Sequence, residues 1–305
     1  MEYLFLLIAN FAGISKVIAM KNSGKVCPGE YNSVRINTFR SILCCIVSVV
    51  AFYIAGAKTE SSGWWIWLIS GVSNAVMMFL WVTCTQRIGL IYLETFAIIG
   101  STAIPMIIAP LLYEGETVSL LQWFGVLCLL IAVIVLSLKP KVSNGTPTKV
   151  KENKKGNIIV IIYVLLLILS YVGTSVSQKL YPTLIGQEYT AYFNLMTFIV
   201  VLFCFSLVLI SGKIFKKKTL LPENVSKNKK LFLYVFIAAV MIYVYQYFST
   251  LAAGMLPSAI FYPLIKGISM LLTVLCDVLI YKQKMTKNTL IGLLFVFTAI
   301  ILINI

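Results

Sequence analysis

The chain has 305 residues, 60% of them hydrophobic and 11% charged, with 25 Lys+Arg against 10 Asp+Glu and no histidine. A soluble domain holds about 45–50% apolar and about 25% charged residues, so a mean hydropathy of +0.96 excludes a water-soluble globule. The missing histidine excludes a Ser-His-Asp triad, a Cys-His pair and an HExxH zinc site.

A membrane-spanning helix needs about 20 apolar residues. Ten stretches qualify, at 3–20, 34–56, 64–85, 89–112, 120–138, 157–180, 190–211, 232–253, 257–280 and 287–304. The first lacks a basic leader and a small-residue cleavage site, so it reads as a span and not as a signal peptide. Trp64, Trp65 and Trp67 open the third span as an interfacial belt. The longest connections, 139–156 and 212–231, are polar and lysine-rich, which leaves no room for an extramembrane catalytic domain. The seven cysteines include no CxxC pair and lie mostly inside apolar runs, so they read as packing residues. No cofactor and no metal are expected.

The basic residues sort by connection. Odd-numbered connections (1–2, 3–4, 5–6, 7–8, 9–10), with the adjoining span ends, carry twenty lysines and arginines, running from Lys21 to Lys287. Even-numbered connections carry only Lys58 and Lys179. Positive residues stay inside, so the odd connections are cytoplasmic and both termini extracytoplasmic. The net charge of +15 is therefore mostly topology in a multi-pass protein of the plasma (cytoplasmic) membrane, not a nucleic-acid surface.

The two halves repeat. Asn10, Gly13 and Ser15 line up with Ser170, Gly173 and Ser175, and Glu30-Tyr31 with Glu188-Tyr189. Gly89 lines up with Pro257, Ser101 with Ser269, and Glu116, Ser119 and Gly125 with Gln283, Thr286 and Gly292. Residues 1–138 form a first five-helix repeat, 139–156 a cytoplasmic linker, and 157–305 a second repeat. Five is odd, so the halves have opposite topology, the arrangement of secondary transporters whose site lies near the midplane.

On these pieces (Gly13 to Lys21 closing span 1, Arg40 early in span 2, and the Glu116-x-x-Ser119…Gly125 hinge) the chain resembles the drug/metabolite transporter superfamily, in particular its EamA-type ten-span members, over its whole length. The resemblance implies a basket of ten helices around a central cavity lined by spans 1, 3, 4, 6, 8 and 9, with spans 5 and 10 outside it. It implies transport of a small molecule, drawn from amino acids, nucleobases, nucleotide sugars, organophosphates and quaternary amines.

Charges inside spans are costly and mark function. Five occur: Lys16, Arg40, Glu94, Lys266 and Asp277. Lys266 lies about 14 Å into span 9, near the midplane. Tyr262, Lys266, Ser269, Thr273 and Asp277 recur at helical steps and form one polar stripe. The same register in span 4 reads Glu94, Ile98, Ser101 and Pro105. Span 8 offers Tyr243, Gln246, Tyr247 and Thr250 on one face, span 3 offers Asn74, Met78, Trp81 and Thr85, and Asn10 lies on span 1. Tyr and Gln can orient a small polar molecule. Glu94 is the candidate proton carrier. Pro105, Pro110, Pro257 and Pro263 mark spans 4 and 9 as moving helices.

The expected function is secondary active transport of a zwitterionic or anionic metabolite by alternating access, with possible proton coupling, and not enzymatic catalysis. A quaternary-amine or drug transporter of the same superfamily is the alternative, although span 1 carries Asn10 and Lys16 in place of an acid. A membrane-embedded enzyme or a non-transporting scaffold is more remote. The expected partners are a small-molecule substrate and the lipid bilayer, with no nucleic acid.

Overall fold

The structure is a computed structural model that describes residues 1–26, 30–88, 96–113, 115–137, 154–214, 229–279 and 287–303. Ten α-helices and no strand occur among the described residues: α1 Glu2–Val26, α2 Glu30–Ile54, α3 Trp64–Ile88, α4 Ile104–Leu112, α5 Leu120–Ser137, α6 Lys154–Leu184, α7 Thr190–Ile214, α8 Lys229–Met255, α9 Ser258–Leu279 and α10 Lys287–Ile303. Within these residues five stretches are long and apolar enough to cross a membrane: Glu2–Met20, Ile36–Ile54, Ile161–Leu184, Gln187–Ser211 and Lys229–Met255. Shorter apolar helices cover Trp64–Leu80, Phe96–Leu112, Leu120–Ala132, Ser258–Leu272 and Leu290–Ile303.

Three helices end on a glycine with positive φ: Gly56 at 55° after α2, Gly115 at 79° after α4 and Gly186 at 128° after α6. Only glycine enters that region without steric cost, and it lets the chain turn back. α6 extends four residues past the expected end of its span, because Pro182 is accommodated within the helix and packs against α8. A Cβ on Gly254 would lie 2.8 Å from the Pro182 Cβ, so the glycine permits that close approach.

The principal helix pairings are α1 with α8, α3 with α6, α5 with α10, and α2 with α7. Leu6 near the start of α1 shares a core cluster with Leu256 beyond the end of α8, so these two helices are antiparallel. At the same end of the molecule the Gln122 amide at the start of α5 donates to the Ile303 carbonyl at the end of α10 (3.4 Å). The Tyr181 hydroxyl near the end of α6 donates to the Glu60 carbonyl in the α2–α3 connection (3.5 Å). The even-numbered connections therefore gather at one end, called here the even end.

α5 and α10 form an outer pair, joined by Leu129, Ala132, Val296, Ala299 and Ile303. α1, α4, α8 and α9, with Val126 of α5, share a core of Leu6, Met106, Ala252, Phe261 and Tyr262. Large apolar side chains also cover the outside, among them Phe11, Ile46, Phe124, Leu169, Phe203 and Phe297. Such extensive exposed apolar surface suits hydrocarbon and not water.

Candidate functional site

The best-defined polar assembly lies at the even end and is built around Lys179. The sequence reading treated Lys179 as a span-end lysine of an even connection. The structure corrects this: Lys179 is 4% exposed, enclosed by other helices. Its ammonium pairs with the Glu116 carboxylate at 3.0 Å. It also donates to the carbonyls of Ala253 (3.1 Å) and Leu256 (2.6 Å) at the end of α8. The last carbonyls of a helix lack intrahelical partners and carry its negative dipole end, so a lysine there satisfies both. The other Glu116 oxygen accepts from the Ser258 backbone N–H at the start of α9 (3.1 Å). One ion pair thus ties α6, the α4–α5 hinge, and the α8–α9 turn.

Tyrosines extend this junction. The Lys179 ammonium lies 5.3 Å from the centre of the Tyr113 ring. The Tyr113 hydroxyl donates to the Val176 carbonyl (3.5 Å), and the Tyr262 hydroxyl to the Ser175 carbonyl (3.3 Å). The Thr102 hydroxyl donates to the Tyr262 carbonyl (3.3 Å), joining the α4 region to α9. A cavity of about 520 Å³ opens beside Lys179, lined by Glu116, Gln122, Thr183, Gly254, Pro257 and Ile260 among others.

Ahead of α4 the backbone forms a π turn over Ile99–Ala103, where the Ile104 N–H bonds to the Ile99 carbonyl. Pro105 cannot donate to the Ser101 carbonyl, and the wider turn accommodates that lost bond. Single π turns of this kind recur at functional sites. A Cβ on Gly100 would stand 2.8 Å from the Ile168 carbonyl and from the Tyr171 Cβ, so the turn lies directly on α6.

The residues expected to carry transport are distributed as follows. Tyr262 is 1% exposed, and its hydroxyl is committed to α6. The Ser101 hydroxyl bonds to the Ala97 carbonyl (2.5 Å), and the Asn74 amide to the Ser70 carbonyl (3.0 Å), each within its own helix. Tyr243, Gln246 and Thr250 are buried on α8, and Tyr243 stacks on Tyr247 with centroids 5.9 Å apart. Asn10 donates to the Leu6 carbonyl (2.8 Å), while its Oδ1 is buried without a partner, as are the Gln246 Nε2 and the Ser249 Oγ. Asn10 lies about 12 Å from the start of α1 and Gln246 about 13 Å from the end of α8, so they share one depth on two paired helices. The Lys266 ammonium lies 5.5 Å from the centre of the Tyr171 ring, and that of Lys16 lies 3.6 Å from the centre of the Tyr245 ring. Ser269 on α9 is partly buried and has an interaction partner. Glu94 and the side chains of Trp81, Thr85, Thr273 and Asp277 lie outside the described residues.

No group of three or more potential metal ligands occurs among the described residues. The sequence reading missed Lys179 and Tyr113. The available signal was that Lys179 is one of two basic residues on the even side and precedes the end of an apolar run.

No protein-family model matches the sequence, and no curated protein matches it. A solved structure described as "Crystal structure of protein" matches over 99% of this chain and 95% of its own, with a TM-score of 0.67 at 15% identity. At that identity the likeness is one of fold alone.

Proposed function

We propose that the chain is a secondary transporter of the drug/metabolite type, moving a small zwitterionic or anionic metabolite by alternating access between two inverted five-span halves. The observation that carries the reading is the Lys179–Glu116 pair, its lysine buried and its carboxylate partly so, which joins three elements at the even end beside a polar, incompletely satisfied interior. A buried ion pair contributes little net stability compared with apolar packing, so stability alone gives a scaffold little reason to keep it. A carrier needs a contact that holds one face shut and can be exchanged.

Helix packing supports the two-half reading. Exchanging each helix for the one five positions later turns the α1–α8 pair into α6–α3, maps α2–α7 and α5–α10 onto themselves, and turns α3–α7 into α8–α2; all of these pairs are in contact. The aligned glycines follow the same rule. Gly13 of α1 abuts Tyr245 of α8, and Gly173 of α6 abuts Ser73 of α3. Ten spans, a cytoplasmic location for the odd connections and external termini complete the reading, on the charge distribution described above.

Lys266 and the buried face of α8 form the substrate region of this proposal, and Glu94 its proton carrier. Lys266→Ala is expected to abolish uptake into proteoliposomes while expression and melting behaviour are retained. Uptake at the wild-type rate by that variant refutes the site.

A further inference from the structure

Arg40 on α2 is 3% exposed, and its Nε is buried without a hydrogen-bond partner. It makes no ion pair with a described acid, in contrast to Lys179. A guanidinium carries five donors and stays charged at every relevant pH. A buried charge of this kind persists only where something pairs with it.

The side chain is turned into the bundle. The exposed residues Ile42, Ile46 and Val50 mark the outer face of α2, and Arg40 stands about 120° around the helix from the middle of that face. Its buried neighbours on α2 include the polar Asn37, Thr38 and Ser41, with Ile36 and Cys44 one turn away on either side and Ser48 a further turn on. Asn37 donates to the Met78 carbonyl of α3 (3.4 Å), and the Cys44 thiol to the Ala239 carbonyl of α8 (3.7 Å), so this face of α2 meets two other helices. α1 packs along α8, one of those two helices, and carries a second cation, Lys16. Lys16 in turn covers the Tyr245 ring of α8.

We propose that Arg40 anchors an oxyanion-binding site at the convergence of α1, α2 and α8, taking the carboxylate or phosphate group of the transported small molecule. A planar fork of donors fits either group in bidentate fashion. Arg40 faces away from the outer surface, so the occupant is a soluble molecule entering the bundle and not a bilayer headgroup. The inference rests on the transport reading for the occupant's fate, but not for its binding.

The test measures binding on purified, delipidated full-length protein. Inorganic phosphate and acetate are titrated against thermal unfolding, with sodium chloride at matched ionic strength and short-chain phosphatidylglycerol as separate arms. The expected result is a saturable rise in melting midpoint with phosphate or acetate. The same anions are expected to protect Arg40 from an arginine-directed dicarbonyl reagent, read by mass spectrometry. Arg40→Met is expected to melt at or above the unliganded wild type, because it removes an uncompensated charge, and to lose the anion-induced rise. The dicarbonyl protection is read on wild-type protein, so it decides the matter even where that variant does not fold. Equal rises in wild type and variant overturn the proposal, as does an absence of protection. A response to the lipid alone also overturns it, as does an Arg40→Met variant that melts far lower with no anion response in wild type, the mark of an internal ion pair. Anion binding without flux spares the site and refutes transport; flux without protection of Arg40 does the reverse.

Discussion

Replacing Lys179 by methionine separates a latch from a structural ion pair. The variant keeps the volume of the side chain and deletes its charge. Glu116, with 19% of its side chain exposed, then loses its cation, and the Ala253 and Leu256 carbonyls lose their donor. Breaking a buried pair from one side costs about 3–5 kcal/mol, and the carboxylate left behind is partly solvated, which puts the cost at the low end, about 3 kcal/mol. If those contacts exist only when the even end is closed, that energy leaves the closed state and the ratio of closed to open falls by roughly two powers of ten. The readout is labelling of a cysteine at Ser175, behind the pair, by a membrane-impermeant thiol reagent in a background stripped of the seven native cysteines. Labelling is expected to be slow with Lys179 present and at least a hundredfold faster in Lys179→Met. The double variant Lys179→Met/Glu116→Leu is expected to recover thermal stability, since apolar replacement of a whole buried pair is close to neutral, while its even end stays labelled. Unchanged labelling in both variants refutes the latch and leaves Lys179 as a structural residue.

Two further outcomes follow from the geometry. Gly100→Ala forces a Cβ to 2.8 Å from both the Ile168 carbonyl and the Tyr171 Cβ. Overpacking of this kind costs about 1–3 kcal/mol, so the variant should melt measurably lower than wild type, and an unchanged melting curve contradicts the contact. In the α2–α3 connection the Ser62 backbone N–H donates to the Glu60 carboxylate (2.9 Å) and holds its pKa below the ordinary carboxylate value. A depressed carboxylate gives its stabilisation in full above the unfolded value and loses it as pH falls through the folded value. Hydrogen exchange at the Ser62 amide, corrected for its intrinsic pH dependence, should therefore accelerate on acidification in wild type and be pH-independent in Glu60→Gln.

Element type was legible across the described residues, because uninterrupted apolar runs of helical length admit little else. Gly13 of α1 and Gly173 of α6 were legible as an aligned pair of small residues before their partner helices were known. Both turned out to be points of close helix approach. The π turn was not legible: Pro105 announces a lost hydrogen bond but not whether the helix kinks or widens. Lys179 was not legible either. A lysine near the end of a span most often reaches toward water. What turns it inward here is a carboxylate 63 residues earlier in the chain and two carbonyls more than 70 residues later, a non-local arrangement that periodicity does not encode. Tyr262 shows the opposite failure. Helical spacing puts it on the α9 stripe, but whether a tyrosine hydroxyl faces a ligand or a neighbouring carbonyl depends on packing, and here it meets Ser175.

The central claim is that opening the even end is part of a transport cycle. Its most direct test is exchange flux of labelled anionic and zwitterionic metabolites in proteoliposomes, using Glu116→Cys/Lys179→Cys joined by a short, reducible bis-thiol linker. Saturable flux before linking, its loss on linking and its return on reduction are the predicted result. Flux that persists through the linker, or no saturable flux in the wild-type protein, contradicts it.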